Sequence, residues 1–116
     1  MTTFQPTANG TELMVYSDTG EPVAALDAIG ATWGRKVAAV AVPVTRLPEG
    51  FLDLSTGVAG EYLQKMAQYH VVIAIVGDIS TEVARSEPLA AFVRESNRGR
   101  HVWFVDTIDD VHTRLA

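Results

Sequence analysis

The octapeptide "VVIAIVGD" (residues 71–78) decides the architecture. Six apolar residues run without a polar break before Gly77 and Asp78 end the run. A strand with one wet face alternates apolar and polar side chains, whereas a strand covered on both faces need not. The run therefore reads as a strand between two layers, near the centre of its sheet. "KVAAVAVPV" (36–44) has the same character. Its Pro43 lies near the end, where the missing N–H costs the ladder little.

Between these strands, apolar residues at 58, 59, 62, 63, 66 and 67 recur with helical period and predict a helix over 58–69. "SEPLAAFVRESNRG" (86–99) is a second helix. Ser86 stands as its N-cap, Pro88 lies in its first turn, and Gly99 stops it. It buries Leu89, Phe92 and Val93. "HVWFVD" (101–106) is another strand. Thr107, with Asp109 and Asp110, caps a last helix carrying Val111 and Leu115. Nearer the start, "ELMVYS" (12–17) is a short strand ended by the turn "SDTGEP". In "VAALDAIGATWGRK" (23–36), Leu26, Ile29 and Trp33 fall on one helical face. Residues 1–10 read as a loose lead-in, and "ISTEVAR" (79–85) fits no single element.

Strand and helix thus alternate through one domain spanning 1–116. The expected fold is α/β: a small layered domain with a four- or five-stranded, mainly parallel or mixed sheet flanked by helices. Nine Lys and Arg against fourteen Asp and Glu give a net charge of -5. That balance argues against binding nucleic acid through phosphates and against anionic membrane surfaces. The chain has no cysteine, which excludes disulfides, thiolate nucleophiles and cysteine-zinc sites. The first ten residues lack an apolar signal region, and no apolar run is long enough to span a bilayer, so a cytoplasmic location is expected.

The segment "FLDLSTGVAGEYLQKM" (51–66) is the densest in polar chemistry. Asp53, Ser55, Thr56 and Gly57 stand where a helix begins, and a helix N-terminus offers free N–H donors and a partial positive charge. Those four residues are candidate ligand or partner contacts. The competing reading is a plain cap at a strand-to-helix joint. It is not a Walker loop, because no Lys follows the second Gly, nor is it a dinucleotide fingerprint. Asp78 follows a buried strand, at the edge where α/β proteins place ligands. Asp53, Thr56 and Asp78 are expected to share that rim. With Asp106 the carboxylates could hold a hard cation, but no ligand cluster at known spacing supports a metal, and no cofactor is expected. His70, His101 and His112 stand in no recognisable catalytic motif.

"FLDLSTGVAGEYLQKM", "VVIAIVGDIS" and "FVRESNRGRHVWFV" together resemble DUF4180, a family of small bacterial proteins known as a domain of unknown function. A second resemblance, at fold level, is to the STAS domains of anti-sigma-factor antagonists. It rests on "D-x-S-T-G" opening a helix before an "IAIVGD" strand. It implies a STAS-like domain that is cofactor-free, non-enzymatic and regulatory, acting on a protein partner, with a homodimer possible. It also implies a modifiable hydroxyl beside a Gly at the helix start. Thr56 and Gly57 are the counterparts here, although Leu54 and Ser55 give one residue more than the STAS spacing. The alternative is a small-molecule or anion binder, or a small enzyme, using the rim of Asp53, Thr56 and Asp78.

Overall fold

The computed structural model describes residues 2–116, and Met1 lies outside them. Five strands form one mixed sheet: β1 (Thr2–Pro6), β2 (Glu12–Tyr16), β3 (Val37–Pro43), β4 (Ile73–Val76) and β5 (Val102–Val105). They lie in chain order, β1-β2-β3-β4-β5. Only the β1–β2 pair is antiparallel, and β2 to β5 run parallel. β4 is interior, but β3 is the central strand. The expected α/β fold with a mainly parallel, helix-flanked sheet is the one observed.

The start of the chain departs from expectation. Within 1–10, residues 2–6 are not loose but form the edge strand β1, while Met1 falls outside the described residues. A tight turn through Asn9-Gly10 folds β1 back on β2, with Thr7 N–H donating to Thr11 O at 3.0 Å. The Asn9 side chain accepts from both threonine hydroxyls at 2.7 Å. Asn-Gly between two extended segments is a hairpin signal. The polar composition of "TTFQP" concealed the strand beside it.

Sequential parallel strands need crossovers that all step the same way across the sheet. Crossovers of one hand must then lie on one face. Helix α1 (Ala25–Ala31) joins β2 to β3, and α2 (Val58–Gln68) joins β3 to β4. Helices α3 (Ser80–Arg85) and α4 (Glu87–Arg98) join β4 to β5. All four pack into one core with Met14, Val40, Val42, Ile73, Ile75 and Phe104 from the sheet. The segment 79–85 is therefore mainly helical. The opposite face is left to α5 (Ile108–Leu115) alone.

The apolar run of β3 hides a second alternation, in size. Val40 and Val42 face the larger core, while Ala39 and Ala41 face α5, joined by Ala74 of β4. This alanine floor lets α5 lie close, with Val111 fully buried on it. Thr107 and Asp110 cap α5 reciprocally, each side chain accepting from the other's backbone N–H at 3.2 Å. His112 and Gln5 meet at 2.7 Å and tie the helix to β1.

Helix α1 uses its face differently from the sequence reading. Ala25, Ala28 and Ile29 are buried, whereas Leu26 is 57% and Trp33 71% exposed. The helix ends at Ala31, so Trp33 lies in the following turn and not on a helical face. At the far edge of the sheet, Asn97 of α4 closes β5. Its Oδ1 accepts from Phe104 N–H at 2.7 Å, and its Nδ2 donates to Phe104 O at 3.2 Å. A side-chain amide thus replaces the missing neighbour strand. Among the described residues, no helix is long and apolar enough to cross a membrane.

The alanine floor sets a measurable limit. Ala41→Leu should overfill the space under α5 and destabilise the fold by about 1–3 kcal/mol. Urea denaturation measures this. An unchanged midpoint would show that α5 is not seated closely on Ala41.

Candidate functional site

The carboxyl ends of β2, β3, β4 and β5 and the starts of α1, α2, α3 and α5 share one edge of the molecule, as parallel strands with return helices require. β3 leaves the sheet at Pro43, and a 3-10 turn at Val44–Arg46 follows. The chain then runs to a second 3-10 turn, Leu54–Thr56, just before α2. Phe51 anchors this passage, 2% exposed and edge-on to the Tyr62 ring at 5.4 Å.

Of the residues singled out in the sequence, Ser55 and Thr56 lie in that second turn, with Asp53 just before it and Gly57 just after it. The Asp53 carboxylate accepts from Ser55 N–H at 3.1 Å and from the Ser55 hydroxyl at 2.6 Å. These bonds hold Asp53 below its ordinary carboxyl pKa. The Thr56 oxygen lies 2.8 Å from both Gly50 O and Asp53 O, to which its single proton is shared, and it accepts from Val58 N–H at 3.2 Å. Gly57 has φ 78°, in the left-handed region that favours glycine. Thr56 is therefore committed to shaping the helix entry, whereas the Ser55 hydroxyl makes one bond, to Asp53. All four residues are exposed.

Asp78 lies elsewhere on the same edge. Its carboxylate accepts from Ser80 N–H at 2.9 Å, and this bond is the main cause of its lowered pKa. Asp78 lines a cavity of about 220 Å³ together with Ser80 and Asp106. None of Asp53, Ser55, Thr56 or Gly57 lines that cavity. The expected rim is thus divided between an exposed turn at Asp53–Thr56 and a small hollow at Asp78. Among the described residues, no group of three His, Cys, Asp or Glu side chains converges to hold a metal ion.

Arg46 carries no motif in the sequence, yet it organises this edge. Its side chain is 9% exposed. Nε donates to Glu21 O at 2.6 Å, and Nη1 donates to Ser17 O and Thr19 O at 3.0 and 2.9 Å. One guanidinium thereby fixes the whole loop between β2 and α1. Gly20 lies against it, where a Cβ would come within 2.9 Å of the guanidinium carbon. No sequence signal reveals this, because every acceptor is a backbone carbonyl. Nearby, the Tyr62 hydroxyl donates to Val23 O at 2.8 Å. Burial, the larger cause, and the charge of Asp27 raise the phenol pKa values of Tyr16 and Tyr62. Both phenols keep their protons at neutral pH.

The two lowered carboxyls predict an acid dependence. A depressed folded-state pKa adds stability above the ordinary value of 3.8, lost as pH falls through the depressed one. An Asp53→Asn, Asp78→Asn double variant should be less stable than the parent at about pH 6, with the gap narrowing toward about pH 3. Urea titrations across that range test it. A gap that widens on acidification would mean the turns do not favour the ionised carboxylates.

No curated protein and no solved structure matches this sequence significantly. A family model does, with the description "Domain of unknown function (DUF4180)", over residues 8–115. That span takes in β2 to β5 and every residue of the carboxyl edge discussed above, and on it the chain belongs to the DUF4180 family.

Proposed function

We propose that this chain is a non-enzymatic, STAS-like regulatory domain that meets a protein partner in the cytoplasm through the turn at residues 53–57 and the start of α2. The observation that carries the reading is the form of that turn. It is exposed, yet each of its two hydroxyls is held by hydrogen bonds. A preformed surface loses little conformational freedom on binding. Catalysis would instead favour a recessed site with carboxyls tuned toward neutrality. Asp53 and Asp78 are shifted the other way.

The neighbouring surface adds to this reading. A shallow groove of about 280 Å³ lies between α1 and α2, walled in part by Ala25, Val58, Tyr62 and Lys65. It begins one residue beyond Gly57, and the exposed Leu26 follows Ala25 along α1. An apolar groove beside an ordered polar turn is a pairing of the kind partner proteins use.

Ser55 and Thr56 separate recognition from capping. Thr56→Val removes the acceptor for Val58 N–H and should cost about 0.5–2 kcal/mol. Ser55→Glu places charge on the same turn without touching that cap. The partner is to be isolated by affinity capture from the native host with mass spectrometry, then titrated by calorimetry against each variant. Ser55→Glu should change affinity at nearly unchanged melting temperature, and Thr56→Glu should change both. If every variant changes stability alone, the turn is a joint and the proposed surface is wrong.

A further inference from the structure

A second place on the carboxyl edge has the properties of a small-molecule site, and it is separate from the turn proposed to meet a partner. We infer that the cavity at the ends of β2, β3 and β4 binds a small organic amine, a compact apolar body carrying one ammonium group. The cavity measures about 320 Å³. Sites for small ligands begin at about 300 Å³, are mainly apolar, and carry a few convergent polar groups. Val15 of β2, Pro43 of β3, Val44 of the first 3-10 turn, Val76 of β4 and Ile108 of α5 supply the apolar lining.

The polar side of the cavity is Ser17, Asp18 and Thr45. It is held in place before any ligand arrives. Arg46 grips the carbonyls of Ser17 and Thr19, on either side of Asp18, at 3.0 and 2.9 Å. The Thr45 hydroxyl donates to Asp18 O at 2.8 Å.

Charge selects the ligand. Asp18 is the one charged residue lining the cavity among those described. Arg46 does not line it, and its N–H groups already serve three carbonyls. An ammonium group therefore finds a carboxylate beside an apolar lining, whereas a carboxylate ligand finds only repulsion from Asp18.

Three probes of one shape test this: benzylamine, benzyl alcohol and benzoate, titrated into the full chain at neutral pH and followed by amide chemical shifts. Benzylamine should produce saturable shifts at Tyr16, Asp18, Thr45 and Ile108, benzyl alcohol weaker ones, and benzoate none. Asp18 is exposed, so Asp18→Asn should leave the fold intact. It should weaken benzylamine roughly two- to fivefold, as loss of a solvent-exposed ion pair does, and leave benzyl alcohol unchanged. Ile108→Trp should fill the cavity and remove both. The inference is overturned if no probe gives saturable shifts at these residues. It is equally overturned if benzoate binds as tightly as benzylamine, or if Asp18→Asn leaves benzylamine binding intact.

Discussion

The guanidinium of Arg46 sits nine-tenths buried with three backbone carbonyls around it and no carboxylate within ion-pairing distance among the described residues. A buried cation is costly unless its hydrogen bonds are made well. Here they are made to carbonyl dipoles of one loop, so the energy that keeps Arg46 inside is also the energy that orders residues 17–21. That loop joins β2 to α1. Its position sets where α1 begins, where Tyr16 and Asp18 stand, and what the carboxyl edge presents to a ligand or partner. The cation also lies 5.7 Å from the centre of the Tyr16 ring. The edge is thus a rigid construction, although much of it is loop.

The rest of the molecule follows from the order of its strands. Four parallel strands laid down in sequence send their crossovers to one face, which becomes thick and supplies the larger core. The other face has a single helix, and the chain adapts by placing alanine in alternate positions of β3 and β4 beneath it. Four strand ends and the helix starts that follow them then share one edge without contributing to one pocket. Asp53–Thr56 forms an exposed turn, Asp78 and Asp106 line a small hollow, and the larger cavity opens between β2, β3, β4 and α5. This separation is why a protein-facing surface and a small-molecule cavity can coexist on one edge.

Much of this was legible in the sequence. The unbroken apolar runs at 36–44 and 71–78 specify strands covered on both faces, and that alone selects a parallel α/β sheet. Ser86, Gly99 and Thr107 mark helix ends by chemistry that acts locally, so they could be read residue by residue. The turn at Asp53–Gly57 was found because its capping chemistry is also local. What escaped depends on distant partners. β1 is a strand because β2 is beside it, and "TTFQP" carries no apolar alternation to announce this. Leu26 and Trp33 look like core by spacing, but α1 is too short to keep both on one face and buries alanines instead. Arg46 reads as a loop residue because its partners are carbonyls 25 to 29 positions away. Whether three edge residues meet in one cavity depends on how adjacent loops diverge, and no spacing encodes that.

The carboxyl edge is rigid because Arg46 holds it. Amide hydrogen exchange through residues 17–23, measured with urea stability on the parent and on Arg46→Lys, tests this directly. Lysine keeps the charge but cannot fork to three carbonyls. Exchange in that loop should accelerate strongly, amides in β3 and β4 should stay the most protected, and stability should fall by at least about 2 kcal/mol. If Arg46→Lys exchanges like the parent in this loop and unfolds at the same urea concentration, the guanidinium is not what orders the edge.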